Sequence, residues 1–236
     1  MIEASRHGLP AMKDSKLTIT AYDWVPGFAQ GNVRDMRLRW ALNEAGFDYE
    51  VEVLTQGDQK SEGNVARQPF GQVPVLTVDG VPMFESGAIV WRIAEAAGTL
   101  LPDDPLERDR AFCWHFAALN SVEPEAMMLA TLDFFASDAD AAARLRPDAV
   151  DGVKRRLTSL EQALGDENYL VGGTFTVADL MMASVLRILK HTDIVAGFPT
   201  LDAYLARCTD RPAFAAALDA QLRTFAENAP RYEGTT

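Results

Sequence analysis

The sequence predicts two domains, an α/β domain followed by an all-α domain. Strand and helix patterns alternate over residues 16–98, which is typical of a mixed α/β domain. Residues 99–106 contain prolines and acidic residues and are interpreted as a linker. Residues 107–230 show helical patterns and no convincing strand pattern, which predicts the all-α domain. The polar residues 1–15 are expected to form a flexible tail.

The first domain opens with a strand–helix–strand pattern. Residues 16–22 alternate β-branched and apolar residues and predict a strand, and residues 47–54 predict a second strand. Between them, residues 33–45 have apolar side chains at helical spacing, with Asn32 placed as N-cap and Gly46 as the stop. Because the connection crosses over, we expect the two strands to be parallel.

A hairpin is predicted later in the same domain. Residues 55–70 are polar and predict an irregular segment with one short helical turn. Residues 73–78 and 81–85 then flank Asp79-Gly80, a strong signal for a two-residue hairpin loop.

The remaining segments predict helices. Ser86 is placed to cap a helix that Gly98 ends. Thr176 and Asp179 form a capping-box pattern, with an Asp in place of the usual Glu or Gln, and Pro212 suits a helix start. Helices of the second domain are expected at residues 105–135, 139–164, 176–190, 199–208 and 212–228.

Composition and charge exclude several classes of partner. The chain carries 22 basic and 34 acidic residues, a net charge of -12, which would repel a phosphate backbone and argues against nucleic acid. No run of about 18 apolar residues occurs, so no membrane partner is expected. The three histidines are scattered, so no metal site is predicted.

The two cysteines indicate a reducing compartment. Cys113 and Cys208 are too few for a disulfide framework and are interpreted as free thiols. A cytoplasmic location is therefore predicted. Cys113, next to Trp114, is expected to be a buried structural thiol.

Val73-Pro74 has two interpretations. Proline lacks a backbone donor, so Pro74 could mark an edge strand and block aggregation. Alternatively, a cis Val-Pro bond would leave the N–H and C=O of Val73 free to pair with an extended peptide.

Glu85-Ser86 follows the hairpin at the start of a helix. Ser86 suits an N-cap, but the N–H groups and dipole of a helix N-terminus also favour a carboxylate. Glu85 adds a negative charge beside that anion site. The pair therefore suits a ligand with a carboxylate and an ammonium on one carbon, such as an α-amino-acid head group.

With these motifs, the chain resembles the cytosolic glutathione S-transferase family over residues 16–228. "PFGQVPVL" and "FESGAIVWRIAE" are similar to the family's glutathione-binding core, and "TVADLMMASVL" and "RPAFAAAL" to two helices of its second domain. The resemblance implies a thioredoxin-like N-terminal domain and an all-α C-terminal domain. It further implies a homodimer and an enzyme that transfers glutathione, its co-substrate, to an electrophile that the sequence does not identify.

The same resemblance implies a set of glutathione contacts. Val73 would pair with the cysteinyl backbone, and Glu85 and Ser86 would hold the γ-glutamyl head. The side chains near the glycyl end have a second interpretation as solvated surface. The glutathione-binding residues implied in this way are Gln59, Lys60, Gln72, Val73, Pro74, Glu85 and Ser86.

The chain departs from the family where the thiol is activated. Residues 23–40 contain no Ser, Thr, Tyr or Cys, the residue types that the family uses there. Asn32, at the usual serine position, and Tyr22, at the end of the first strand, are the two catalytic candidates. A shift in register would instead select Gln30 or the N–H groups near Gly31. The absence of cysteine from residues 16–98 argues against the classes that form a mixed disulfide.

Two questions stay open at this level. Trp24, Phe28, Trp114 and His115 are candidates for the second-substrate pocket, and each also suits core packing. Because the usual hydroxyl or thiol is missing, the alternative function is a non-catalytic binding or scaffold protein with the transferase fold.

Overall fold

The computed structural model describes residues 11–232, which form two compact units. The first unit contains the described residues up to Gly98 together with those from Ala216 onward. The second unit contains Thr99–Ala215.

A four-stranded sheet forms the centre of the first unit, in the order β2-β1-β3-β4. β1 and β2 are parallel, as predicted, and the other neighbouring pairs are antiparallel. The strands are β1 (Leu17–Tyr22), β2 (Glu50–Leu54), β3 (Leu76–Val78) and β4 (Val81–Met83).

The predicted two-residue hairpin is confirmed between β3 and β4. Val78 and Val81 are paired across the turn. Asp79 and Gly80 both have positive φ, 47° and 85°, which is the requirement of a type I′ turn. The backbone N–H of Lys16 donates to the Asp79 carboxylate at 2.8 Å, and this bond ties the turn to the start of β1.

Helices α1 (Asp35–Ala45) and α3 (Ser86–Ala97) pack against each other in this unit, and α2 (Glu62–Val65) follows a 3₁₀ turn at Asp58–Lys60. The core combines strand and helix side chains that are fully buried, and burying each contributes about 1.5–3 kcal/mol. These side chains include Ile19, Leu38, Leu42, Leu76, Ile89 and Ile93.

Both predicted N-caps of this unit are wrong. Asn32 lies in a turn, with its N–H donating to Ala29, and the first helical residue is Asp35. Ser86 is the first residue of α3, not the cap, because Glu85 occupies the cap position. The Ser86 hydroxyl accepts a hydrogen bond from Arg37 at 3.2 Å and does not cap its own helix.

The described part of the second unit contains helices and no strand. Residues 105–135 form two helices, not one, because Pro124 cannot donate a backbone hydrogen bond; one turn of π-helix at Ala118–Val122 joins them. The helices are α4 (Pro105–Ala117), α5 (Glu123–Phe134), α6 (Ala139–Leu164), α7 (Val177–Leu186) and α8 (Pro199–Thr209). α9 (Pro212–Asn228) begins in this unit and continues into the first.

The predicted capping box at the start of α7 is confirmed. The fully buried Asp179 carboxylate accepts hydrogen bonds from the Thr176 N–H at 2.9 Å and the Thr176 hydroxyl at 3.1 Å. It also accepts from the Leu170 N–H at 2.8 Å and the Tyr204 hydroxyl at 3.0 Å. Burial raises the pKa of Asp179, and these hydrogen bonds act against that rise. One carboxylate thus joins a loop, α7 and α8.

The expectation that Cys113 is buried is wrong. Cys113 is exposed on α4, because Ala111 and His115, four residues apart, turn inward and leave Cys113 on the opposite face. Cys208 is buried, and burial raises the pKa of its thiol. Within residues 11–232, none of the helices combines the length and the apolar character needed to cross a bilayer.

Candidate functional site

The segment around Val73 leads into β3. The Val73-Pro74 bond is cis, as one of the two interpretations required. The N–H of Thr20 donates to the Val75 carbonyl at 2.9 Å, which extends the antiparallel pairing of β1 with β3. Val73 lies two residues before this paired segment.

The backbone of Val73 is available to a ligand. Its side chain is 8% exposed, yet within residues 11–232 no hydrogen bond is made to its N–H or its C=O. Backbone polar groups are rarely left without a partner. This short edge can therefore pair with an extended peptide by strand addition.

Two buried amide side chains hold this edge in place. Asn64 donates to the Gln59 carbonyl at 2.8 Å and the Gln72 carbonyl at 3.3 Å. The side-chain oxygen of Gln68 accepts from the N–H of Phe70 at 2.6 Å and of Gln72 at 3.4 Å. Neither residue was predicted to be functional, because a polar residue in an irregular segment carries no signal for burial.

Gly71 brings Gln59, Lys60 and Gln72 to one corner of the unit. Gly71 has φ 62°, and a Cβ there would lie 3.3 Å from the Gln59 carbonyl and 3.5 Å from the Lys60 side chain. The Gln59 side chain accepts from the Gly57 N–H at 2.7 Å, whereas Lys60 is exposed. The predicted glycyl-end residues are thus neighbours, with Lys60 the freest to contact a ligand.

Gly71→Ala is expected to lower the free energy of unfolding by about 1–2 kcal/mol, because alanine is disfavoured at positive φ and its Cβ crowds the Gln59 carbonyl. Urea denaturation measures this. Gly63→Ala is the matched control, because Gly63 lies in α2 with open space around it and should be neutral or stabilising. Equal stability of the two variants would contradict the prediction.

Glu85 and Ser86 form the second part of the site. Glu85 is exposed, has φ 71° and ψ 105°, and makes no side-chain hydrogen bond within the described residues. A residue other than glycine in this conformation is strained, and such strain is typical of functional sites. The N–H groups of the first turn of α3 begin directly after it.

Arg37 is a functional candidate that the sequence did not reveal. Its guanidinium is buried and donates to the Ser86 hydroxyl at 3.2 Å, at the N-terminus of α3. A buried cation there adds to the positive end of the helix dipole and favours a bound carboxylate. A charged residue within a helix normally indicates a solvated face, so the sequence pattern did not predict that Arg37 is buried.

The thiol-activating candidates lie at the two ends of the loop after β1. Tyr22 is half-buried, and burial raises the pKa of its hydroxyl, so the group stays protonated and can donate. Asn32 lies two residues before the cap of α1. The alternative donors are used inside the fold: the Gln30 amide donates to a carbonyl at 3.0 Å, and the Gly31 N–H to Gln221 at 3.0 Å.

Two family models match the chain. The N-terminal domain of glutathione S-transferases matches residues 18–95, and the C-terminal domain matches residues 123–212. The chain belongs to the glutathione S-transferase family. Known members resemble it over most of its length and confirm the predicted fold class.

Two curated relatives illustrate this similarity. The maleylacetoacetate isomerase of Rhizobium meliloti (strain 1021) is 30% identical over 187 residues, which cover 75% of this chain and 87% of the relative. Glutathione S-transferase F14 of Arabidopsis thaliana is 29% identical over 222 residues, which cover 86% of this chain and 83% of the relative.

A solved glutathione transferase from Burkholderia graminis has two glutathione molecules bound per subunit. It superposes with a TM-score of 0.76 at 26% identity, and the match covers 87% of this chain and 88% of that one.

The four predicted second-substrate residues belong to different units. Trp24 and Phe28 are partly buried in the first unit. Trp114 is partly buried in the second, where His115 is buried with its Nδ1 3.5 Å from the Val177 carbonyl. Within residues 11–232, no cluster of three or more His, Cys, Asp or Glu side chains could hold a metal ion.

Proposed function

We propose that the chain binds glutathione along Val73 and at Glu85-Ser86, and delivers its thiolate to an electrophilic small molecule. The observation that carries the proposal is the backbone of Val73, which makes no hydrogen bond within residues 11–232 and lies two residues before the segment that pairs with β1. The bound glutathione in the Burkholderia graminis relative supports the choice of ligand.

Each part of glutathione has a matching group in the first unit. The cysteinyl backbone pairs with Val73, which Pro74 follows. The ammonium of the γ-glutamyl group pairs with Glu85. The α-carboxylate of the same group binds at the N-terminus of α3, where Arg37 donates to Ser86. The glycyl carboxylate lies towards the corner at Gly71, where the candidate contacts are Gln59, Lys60 and Gln72.

The reaction requires a thiolate. A free thiol with a pKa near 8.5 is only a few per cent ionised at neutral pH, and lowering that pKa by about 2 units requires about 2.7 kcal/mol. We assign this role to a hydrogen bond from Tyr22 or Asn32, since residues 16–98 contain no cysteine. The thiol releases its proton to solvent water, and the thiolate sulfur bonds to the electrophilic carbon. A leaving group departs with its electron pair.

The chain forms a homodimer in the cytoplasm in this proposal. Phe70 is 68% exposed, and its ring stands edge-on to that of the exposed Phe84, with centroids 6.4 Å apart. An exposed aromatic pair of this kind suits an interface. Two free cysteines, one of them exposed, fit a reducing compartment.

Calorimetric titration with glutathione, followed by turnover against a panel of electrophiles, tests the function. Binding with turnover is expected. Binding without turnover would favour the scaffold alternative, which the missing hydroxyl or thiol in residues 23–40 motivates. Absence of binding at millimolar glutathione would overturn both the transferase proposal and the site.

A further inference from the structure

We propose that the segment of residues 216–232 positions the loop of residues 23–34 for thiol activation, with Gln221 and Tyr232 as the positioning residues. This inference rests on the proposed function. Neither residue needs to contact glutathione. Each acts by fixing one end of a loop that leads from β1 to α1.

Tyr232 holds the first end of the loop. Its hydroxyl donates to the fully buried carboxylate of Asp23, with distances of 2.9 and 2.8 Å to the two oxygens. Its ring stacks on Trp24 at a centroid distance of 4.8 Å. Asp23 directly follows Tyr22, so this contact fixes the chain where β1 ends.

Gln221 holds the second end. It is fully buried, and its side-chain oxygen accepts from the Gly31 N–H at 3.0 Å. Its amide donates to Asp35 at 2.6 Å, at the start of α1, and to the Val33 carbonyl at 3.4 Å. Asp35 in turn accepts from Arg39 at 2.7 Å. Gln221 therefore joins the loop to the first turn of α1.

These contacts add to other hydrogen bonds of the loop: the Asp23 N–H donates to the Leu54 carbonyl at 2.9 Å, the Gln56 amide to the Trp24 carbonyl at 2.8 Å, and the Gln30 amide to the Val25 carbonyl at 3.0 Å. Between Asp23 and Asp35 the backbone forms only turns, such as Ala29 to Pro26 and Gln30 to Gly27. Both thiol-activating candidates, Tyr22 and Asn32, are attached to this loop. A misplacement of about 1 Å in a reacting group can cost about 100-fold in rate, so positional control has direct catalytic value.

Tyr232 is suited to a lasting contact. Burial and the hydrogen bond to Asp23 raise the pKa of the Tyr232 phenol, which keeps it a donor at neutral pH. The buried Asp23 carboxylate in turn needs such donors, since a buried charge without hydrogen bonds is costly. Arg231 lies 3.7 Å from the same carboxylate and adds a positive charge.

Tyr232→Phe in the full chain tests the proposal, because phenylalanine keeps the ring on Trp24 and removes the hydroxyl. Tyr169→Phe is the matched control, with the same chemical change in the second unit, where Tyr169 stands edge-on to Phe175. Two readouts are taken: amide hydrogen exchange of residues 23–34 without ligand, and the thiol pKa of bound glutathione from its ultraviolet absorbance against pH.

For Tyr232→Phe we expect exchange in the loop about tenfold faster, with exchange in α3 unchanged. We also expect a higher thiol pKa and a kcat about tenfold lower, with the dissociation constant of glutathione within about twofold of wild type. A merely structural role would change the stability of the unit and leave the thiol pKa alone. The double variant Asp23→Asn/Tyr232→Phe should show a kcat and a loop exchange rate no further from wild type than those of the more affected single variant, because both changes remove the same contact.

If amide hydrogen exchange of residues 23–34 is no faster in Tyr232→Phe than in Tyr169→Phe, the positioning role is overturned, whatever the results for glutathione binding and turnover. An altered loop exchange with the thiol pKa and kcat of wild type also overturns it. If wild type fails to bind glutathione, the proposed function fails instead, and hydrogen exchange alone then decides whether Tyr232 holds the loop.

Discussion

Glu85→Gly is expected to weaken glutathione binding strongly and, at the same time, to stabilise the protein. The lost contact between a carboxylate and an ammonium is worth about 1.5–3 kcal/mol, which weakens binding about 10- to 150-fold. Glycine adopts the φ of 71° without strain, so the free energy of unfolding should rise by about 1 kcal/mol. Calorimetry and urea denaturation measure the two effects.

Two further variants separate charge from strain. Glu85→Gln keeps the backbone conformation and the size of the side chain, so it should weaken binding without a gain in stability. Glu62→Gln, an exposed acid in the first turn of α2, should change neither. If Glu85→Gly bound glutathione as tightly as wild type, the assignment of the γ-glutamyl head would be wrong.

Asp179→Asn is expected to destabilise the chain by about 3–5 kcal/mol. The asparagine amide keeps one oxygen that can accept hydrogen bonds. Its NH₂ group replaces the second carboxylate oxygen and cannot accept from the donors that this oxygen satisfies in the wild type. Each buried donor left without a partner costs about 1–3 kcal/mol. The unsatisfied groups would come from Thr176 at one oxygen, or from Leu170 and Tyr204 at the other. Urea denaturation followed by circular dichroism measures the loss.

Asp202→Asn is the control for this change. Asp202 is an exposed acid in the first turn of α8, so its replacement should cost no more than about 0.5 kcal/mol. Tyr204→Phe removes one hydrogen-bond donor to Asp179, so its loss of stability should lie between those of Asp202→Asn and Asp179→Asn. A loss below about 1 kcal/mol for Asp179→Asn would show that the capping network is not a main support of this unit.

Features that depend on a few neighbouring residues could be predicted from the sequence. Asp79-Gly80 determines its own turn, because both residues tolerate positive φ. Thr176 and Asp179 satisfy each other within four residues. The pattern of strand, helix and strand predicted a parallel pair, because a crossover connection imposes it.

Features that depend on distant partners could not be predicted. Ser86 bonds to Arg37, 49 residues away, and therefore does not act as the local cap that its position suggested. Gln221 meets Asp35 across 186 residues, and its sequence surroundings are those of an ordinary apolar helix face, with Ala217 and Phe225 also buried. Single-sequence patterns report local preference, whereas such polar pairs are set by tertiary packing.

The contact between Tyr232 and Asp23 has a consequence for the order in which the protein matures. The two residues are 209 positions apart, so the ribosome completes the strand, the sheet and α3 well before it adds Tyr232. Between Ala97, the last residue of α3, and Tyr232 the ribosome adds 135 residues, which takes about 7–27 seconds at about 5–20 residues per second. Throughout that interval the nascent chain already contains the Val73 segment, but the loop after β1 lacks its contact with Tyr232. Under the positioning role proposed above, the loop gains its contact with Tyr232 only after Tyr232 has been synthesised, well after the sheet and α3.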